Sequence, residues 1–399
     1  MQDSVGGDIK KISPVIKWTG GKYREFNQFS PYLPPFQKYF EPFFGGGGVF
    51  FALQPPGEAL LNDKSEDLIR FYSLLGSSGF KKELEGYADA WHEAGLISRE
   101  VKPALLVAFK AYLAKNISPA SLCDSIGKCL NTCFEKSNYL LFSESFIIYP
   151  SKFFNEISRS IFDKCKRLQQ IFLKEGRSFN DYELGDHIET GIKSGLYMFL
   201  RMLTNLHFSG AIQLRKEKAA ANWYFVREFC YASMFRYNSK GEFNIPYGGI
   251  AYNKKNFRQK VDNIFSKPVK TMFKKATFYN LDFEAFLEKT QPGKNDFVFL
   301  DPPYDSDFSE YDQNRFDKED QLRLRNVLFN TKAKWMMVIK ETAFIRSLYT
   351  SGNCRFIEFD KTYTYNVRGR NNREAKHLII INYEAGGQKL NRQLSLFPS

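Results

Sequence analysis

The sequence predicts a doubly wound α/β core interrupted by a large, mostly helical insert. Three observations point to it. An apolar run from Phe36 to Phe44 leads straight into the consecutive glycines Gly45–Gly48. A second apolar run, Ala59–Asn62, ends at the acidic Asp63. Far along the chain a third, Phe297–Leu300, ends at Asp301-Pro302-Pro303-Tyr304.

Residues 36–44 read as a buried strand entering a Gly-rich turn, with Val49–Leu53 beginning a helix. Ala59–Asn62 reads as a second strand and Asp67–Leu75 as the next helix. Strand, glycine loop, helix, strand and acidic residue in that order open a nucleotide-binding fold. From about 76 to 240 apolar residues recur at helical spacing, as in Pro103–Tyr112, Phe153–Leu173 and Ile192–Leu206, with few strand signals. Pro246 and the glycines after Phe243 favour turns. The α/β pattern then resumes with strands at Phe297–Leu300, Trp335–Ile339 and His377–Tyr383. The expected division is a discontinuous core, 1–75 and 265–399, around an insert, 76–264, with a loose Gly- and polar-rich tail over 385–399. No internal repeat or low-complexity tract appears.

The 399 residues leave room for a core plus a large insert, and 43% hydrophobic content suffices to bury it. Lys and Arg outnumber Asp and Glu by 57 to 44, a formal charge of +13 that suits a polyanionic partner such as nucleic acid. The cysteines at 123, 129, 133, 165, 230 and 354 form no CxxC pair, and no His stands at zinc-finger spacing from Cys129 and Cys133. No metal is expected, and free thiols fit a reducing cytoplasm. The polar start, Met1–Lys11, does not resemble a signal peptide, and no apolar run approaches the roughly 20 residues of a membrane span.

Asp301–Tyr304 suits the activation of a poor amine nucleophile. The lone pair of an exocyclic amine such as adenine N6 is delocalised into the ring. Hydrogen bonds from the amine to a carboxylate and a carbonyl push its nitrogen toward tetrahedral geometry. Asp301 offers the carboxylate and Pro302 the carbonyl, which the Pro302-Pro303 turn holds rigid. Tyr304 can stack on a base that has left the duplex. The bland alternative is an ordinary Pro-Pro turn after a strand. Glu41-Pro-Phe-Phe-Gly-Gly-Gly-Gly-Val-Phe matches neither GxxxxGK[ST] nor the full GxGxxG spacing, yet its glycines permit close backbone approach to a ligand. Asp63 could accept hydrogen bonds from the ribose hydroxyls of an adenosine cofactor, or could simply cap a surface helix. Lys17-Trp18-Thr19-Gly20-Gly21-Lys22 combines an aromatic face, a tight turn and a cation for a carboxylate.

Together these segments resemble the Dam family of DNA adenine-N6 methyltransferases (D12 class), in which the cofactor motif precedes the recognition domain and DPPY follows it. The match covers Lys17–Lys22, Glu41–Phe51, Asn62–Tyr72, Arg236–Gly248, Asp282–Phe283 and Asp301–Tyr304, in the family's order. Arg236–Gly248 looks like the family's DNA-contacting hairpin, here expected over 236–250. The resemblance implies a Rossmann-like S-adenosyl-L-methionine methyltransferase core with a target-recognition insert. It implies direct transfer to an adenine flipped from double-stranded DNA, without histidine, metal or covalent intermediate. Catalysis would fall to Asp301, Pro302, Pro303 and Tyr304. Cofactor contacts would come from Trp18, Lys22, Glu41, Phe43, Gly45, Gly47, Asp63, Asp282, Phe283 and Asp301, with Asp282 and Phe283 beside the cofactor's adenine. The rings of Phe43 and Phe50 fit the core better than direct contact. DNA contacts would come from Lys17, Arg236, Asn238 and Lys240. Two departures stand out. Ala232-Ser233 occupies the place where the family usually has Asn-Gly, and the insert is larger than in compact members, so a GATC target does not carry over.

N4-cytosine methylation poses the same lone-pair problem and stays open, as does a DNA-binding regulator on the same fold, although Asp63 and Asp301 argue against the latter. The run Arg368-Gly-Arg-Asn-Asn-Arg-Glu-Ala-Lys suits phosphates or the target-base pocket as well as it suits a solvated loop. The tail segment Gln393-Leu394-Ser395-Leu396-Phe397 resembles the motif by which bacterial proteins dock on the polymerase sliding clamp. Its apolar residues could equally fold back on the enzyme. A cytoplasmic monomer is expected.

Overall fold

The computed structural model describes residues 12–136, 138–143, 146–234, 236–303, 316–350, 352–362 and 374–385. The chain divides into two compact units, Met1–Ser73 with Ser266–Ser399, and Leu74–Phe265. In chain order the first unit begins with α1 (Phe26–Phe29), β1 (Tyr39–Glu41), α2 (Gly48–Leu53), β2 (Ala59–Asn62) and α3 (Glu66–Ser73). The second unit follows with α4 (Ser78–Leu113), α5 (Pro119–Lys136), α6 (Pro150–Glu175), α7 (Asp181–Phe208), α8 (Lys216–Phe229) and α9 (Phe257–Ile264). The chain then returns through α10 (Lys267–Phe273), β3 (Ala276–Tyr279), α11 (Phe283–Thr290) and β4 (Phe297–Leu300). It finishes with α12 (Lys318–Asn330), β5 (Lys334–Lys340), α13 (Ala343–Thr350), β6 (Arg355–Thr362) and β7 (Glu374–Ile381).

Among the described residues the strands form one seven-stranded sheet in the order β3-β2-β1-β4-β5-β7-β6. The first five run parallel, and β7 lies antiparallel between β5 and β6. Strands β1, β2 and β4 are buried along their whole length, which is why they read as unbroken apolar runs. From β1 the chain turns to β2 on one side, while β4 lies on the other. That divergence opens a crevice at the carboxyl ends of β1 and β4, where doubly wound folds bind ligands. Phe40, Val298, Leu300, Trp335, Met337 and Ile380 from the sheet pack in one buried cluster with Phe286, Leu324 and Ile345 from α11, α12 and α13. That cluster fixes the strands whose ends carry the candidate site.

In the second unit α7 packs against α4, α6 and α8. Its start is fixed by a capping box in which Asn180 and Glu183 satisfy each other's backbone N–H. The contact with α6 is close. A Cβ at Gly195 would lie 2.6 Å from the Ile157 Cα, so only glycine permits this packing.

The expected elements are adjusted in places. The first strand covers Tyr39–Glu41 rather than 36–44, and the last ends at Ile381 rather than Tyr383. The helix expected at Pro103–Tyr112 is the end of α4, which continues through Pro103. β3 and β6 have no counterpart in the sequence reading. No helix among the described residues is long and apolar enough to cross a membrane.

Candidate functional site

The sequence signals of the first unit converge at the carboxyl ends of β1, β2 and β4. β1 ends at Glu41, and the chain then turns through Gly45 and Gly47 with φ of 51° and 68°. Trp18 lines this loop so closely that a Cβ on Gly45 would lie 2.9 Å from its Cδ1 and one on Gly46 2.7 Å from its Cβ. A Cβ on Gly48 would stand 2.9 Å from the Tyr23 backbone nitrogen. The glycine loop and the Lys17–Lys22 segment are therefore two walls of one structure. Asp63, just past β2, holds the loop. Its Oδ2 accepts from the Gly45 N–H at 2.8 Å and its Oδ1 from the Ser65 N–H at 2.8 Å.

Asp301 follows β4. The buried Lys22 ammonium donates to its Oδ1 at 2.5 Å and to the Gly20 carbonyl at 3.1 Å. The sequence read Lys22 as a cofactor contact and as a cation for a carboxylate; in the structure its ammonium meets the carboxylate of Asp301. Pro302 is buried and Pro303 exposed, and Gln321 of α12 donates to the Pro303 carbonyl at 3.3 Å. Tyr304 lies outside the described residues.

Glu41 is buried beneath the loop and accepts from the Tyr39 hydroxyl at 2.8 Å. Burial raises its pKa well above the ordinary carboxylate value. The charges of Asp301 and Asp63 push the same way, and hydrogen bonds from Tyr39 and the Phe50 backbone oppose them only in part. Held protonated in this way, Glu41 adds a neutral hydrogen-bonding group beneath the loop and leaves the negative charge of the crevice to Asp63 and Asp301.

Asp282 caps α11, accepting from the Glu284 N–H at 3.0 Å. Phe283 is buried, its ring centroid 5.6 Å from that of Phe43 and 5.7 Å from that of Phe316. Phe43 is half-buried against this cluster, whereas Phe50 is fully in the core.

Three residues that sequence reasoning missed hold these parts together. Asn62 donates to the carbonyls of Pro42 and Leu281, both at 3.0 Å, and accepts from the Leu281 N–H at 2.9 Å, joining the loops after β1 and β3. Arg323 of α12 bonds Asp282 at 2.7 Å, Glu284 at 2.7 Å and Asp320 at 2.8 Å, with its guanidinium 4.9 Å from the Phe283 ring centroid. Gln321 is the third, through Pro303. An amide ending a buried strand was a visible signal for Asn62; nothing local marked Arg323 or Gln321.

Lys17 is exposed in the first unit, while Arg236, Asn238 and Lys240 belong to a hairpin of the second. Tyr237 pairs antiparallel with Phe243, and Asn238 Oδ1 accepts from the N–H groups of Lys240 and Glu242 at 2.9 and 3.0 Å. Asn238 thus builds the turn that presents the exposed Lys240. Arg236 donates to Asn244 at 3.3 Å. Ala232 and Ser233 have φ of 54° and 53°, the left-handed conformation that Asn and Gly adopt most easily. The backbone shape at the departure from the family is thus one that Asn-Gly would favour. Residues 363–373 and Gln393–Phe397 lie outside the described residues. Among the described residues no group of three or more His, Cys, Asp or Glu could hold a metal ion.

The family model of the D12 class N6 adenine-specific DNA methyltransferases matches residues 18–95 and 154–365. Similar proteins include the type II methyltransferase M.CviBI of Paramecium bursaria Chlorella virus NC1A, 37% identical over 167 residues, which are 41% of this chain and 61% of the relative. The Retron Ec67 DNA adenine methylase of Escherichia coli is 29% identical over 177 residues, 44% of this chain and 59% of the relative. The chain therefore aligns with about three fifths of the length of these two. The type II methyltransferase M.MjaIII of Methanocaldococcus jannaschii is 24% identical over 396 residues, 94% of this chain and all of the relative. The family match takes in Trp18, the glycine loop, α6 to α9 and Asp301 alike, and on that breadth the chain belongs to the D12 class N6 adenine-specific DNA methyltransferases.

Proposed function

We propose that this protein transfers a methyl group from S-adenosyl-L-methionine directly to N6 of an adenine flipped out of double-stranded DNA, at a defined sequence. The Lys22–Asp301 pair at the end of β4, beside the glycine loop, carries this reading. When bound, S-adenosyl-L-methionine supplies a methyl group on a positively charged sulfur, which departs as a neutral thioether with the electron pair of the broken carbon–sulfur bond. The residues fit that chemistry. Asp63 and Asp301 offer negative charge to a cation, with the protonated Glu41 beneath them, and Trp18, Phe43, Gly45 and Gly47 form the wall. A carboxylate offers about four acceptor positions, so holding the loop and accepting ribose hydroxyls are compatible roles for Asp63. Asp282 and Phe283 offer an acceptor and a ring edge to an adenine.

Asp301 accepts one N6 hydrogen and the Pro302 carbonyl the other, drawing the nitrogen lone pair out of the ring. Lys22 fixes the orientation of the Asp301 carboxylate before the base arrives, so little reorganisation remains for the reaction. As the nitrogen gains its new bond it becomes cationic. Asp301 balances that charge and takes the proton that must leave. Tyr304 stacks on the flipped base, and Lys17, Arg236, Asn238 and Lys240 contact the duplex.

Transfer of labelled methyl to mixed-sequence DNA, followed by nucleoside analysis, tests the reading. N6-methyladenine is expected, with loss of transfer in Asp301→Ala. N4-methylcytosine, or tight DNA binding without transfer, would replace it with the cytosine enzyme or the regulator. The protein is further read as a cytoplasmic monomer whose Gln393–Phe397 segment docks on a sliding clamp. Equal clamp binding by the full chain and by a chain ending at Lys389, or none by either, would remove the tail from that role.

A further inference from the structure

Within the second unit, residues 243–253 form a strap along one face of α7. Asn205 exchanges hydrogen bonds with the Phe243 backbone at 2.9 and 3.1 Å. Tyr197 and Arg201 donate to the Ile245 carbonyl at 2.8 and 3.0 Å. Lys193 donates to the Asn253 carbonyl at 2.6 Å, and Asn253 donates to Thr190 at 2.9 Å. The strap begins in the hairpin that carries Arg236 and Lys240 and ends at Lys254-Lys255.

At that end lies a pocket of about 410 Å³ lined by His92, Arg99, Lys193, Lys254, Lys255 and Arg258, with Glu189 the one carboxylate among its lining residues. Its cations are differently employed. Lys193 is buried, bonded to Glu189 at 2.6 Å and 4.5 Å from the Trp91 ring centroid. Arg258 pairs with Asp89, and Lys255 donates to the Glu228 carbonyl. Arg99 and Lys254 are exposed, and neither forms a hydrogen bond or ion pair among the described residues. Burial holds the Lys193 ammonium below the ordinary lysine range; the Glu189 hydrogen bond opposes this, and the Arg99 charge lowers it further. An anion brought between Arg99, Lys193 and Lys254 would relieve that repulsion. Trp91 donates to the Lys255 carbonyl at 3.0 Å, and Tyr247 to Asn253 at 2.9 Å, so the corner that presents Lys254 is rigid.

We propose that this pocket binds a phosphate of the DNA backbone beyond the stretch held by the hairpin, an inference that rests on the DNA-methylating reading above. Asn205 and Lys193 are separated by roughly 18 Å of helix axis at 1.5 Å per residue. That is about five nucleotide steps of 3.4 Å along one strand. The pocket holds a flanking phosphate and carries no sequence information. It sets the register of the duplex while the hairpin reads it.

The test uses the full chain and the double variant R99A/K254A on two duplexes centred on the methylated site, which sequencing of enzyme-modified DNA locates. One duplex has flanks of about two base pairs and the other of about ten, and binding is measured across a salt series. The variant is expected to bind the long duplex about tenfold more weakly, to lose about one unit of salt slope, as for one phosphate contact, and to bind the short duplex unchanged. Equal weakening on both duplexes, or on neither, overturns the proposal. A second arm titrates inorganic phosphate against both proteins by phosphorus NMR. Saturable binding to the wild type alone, with DNA affinity unchanged in the variant, would assign the pocket to free phosphate and also overturn it. Wild-type protein that binds DNA but transfers no methyl group would sink the catalytic reading instead.

Discussion

Lys22 and Asp301 are 279 residues apart in sequence and 2.5 Å apart in space, the lysine side chain 1% exposed and the aspartate 19%. Only closure of the first unit brings them together, so the pair couples the fold to the reaction.

Asp301→Ala should lower methyl transfer at least about 100-fold, the scale of one preorganised contact to a reacting group. It also strands the Lys22 charge. A stability loss of about 2–3 kcal/mol is expected, below the fully buried case because Asp301 is partly solvated. Adding Lys22→Met should recover most of that stability and none of the activity. Urea unfolding of both variants checks it; a double variant no more stable than Asp301→Ala would count against an uncompensated charge.

Glu41 gives a pH signature. Its folded pKa is raised, chiefly by burial, so it keeps its proton in a range where the unfolded chain has already ionised. Stability is then lost as pH rises above the ordinary carboxylate value of 4.5, by up to about 1.4 kcal/mol per pH unit until the folded pKa is reached. Glu41→Gln keeps an acceptor for Tyr39 and removes this cost. Its melting temperature should exceed the wild type's by a margin that widens as pH rises above the ordinary carboxylate value until the folded pKa is reached. A constant margin would contradict the assignment.

Arg323 touches Asp282, Glu284 and Asp320 together. Arg323→Met should raise the KM for S-adenosyl-L-methionine about tenfold, equivalent to about 1.4 kcal/mol, with kcat little changed. Arg323→Lys should not rescue it, because an ammonium cannot span three carboxylates as a planar fork does. Steady-state kinetics decide. A fall in kcat alone would place Arg323 with the reacting atoms instead.

Ser233→Gly should stabilise the chain by about 0.5–1 kcal/mol, since φ of 53° strains serine and not glycine. Urea midpoints measure this, and no gain would mean that neighbouring contacts fully offset the strain.

The two strands that flank the crevice together with β1 were legible because burial on both faces leaves a simple signal. Ala59–Asn62 and Phe297–Leu300 end where the sequence ends them. β3 was missed because it is partly exposed, and β6 because Arg355, Glu358, Asp360 and Lys361 break its apolar pattern. At the site, residue types revealed Asp301, Asp63 and the glycine loop. Their partners were hidden for a physical reason. Arg323 acts on Asp282 from 41 residues away and Asn62 on Leu281 from 219, and no local periodicity encodes such a contact.

The reversed strand β7 has a consequence for what reaches the catalytic edge. Thr362 at the end of β6 pairs with Glu374 at the start of β7, and both lie at the sheet edge where β4 delivers Asp301. Had β7 run parallel to its neighbours, the link between these strands would have had to cross to the opposite edge and back. The antiparallel insertion instead sets Glu374 and Thr362 within about 10–14 Å of the β4 axis, two to three strand spacings away. A change of direction in one strand thereby brings two strand ends, Thr362 and Glu374, to the side of the sheet at which β4 delivers Asp301.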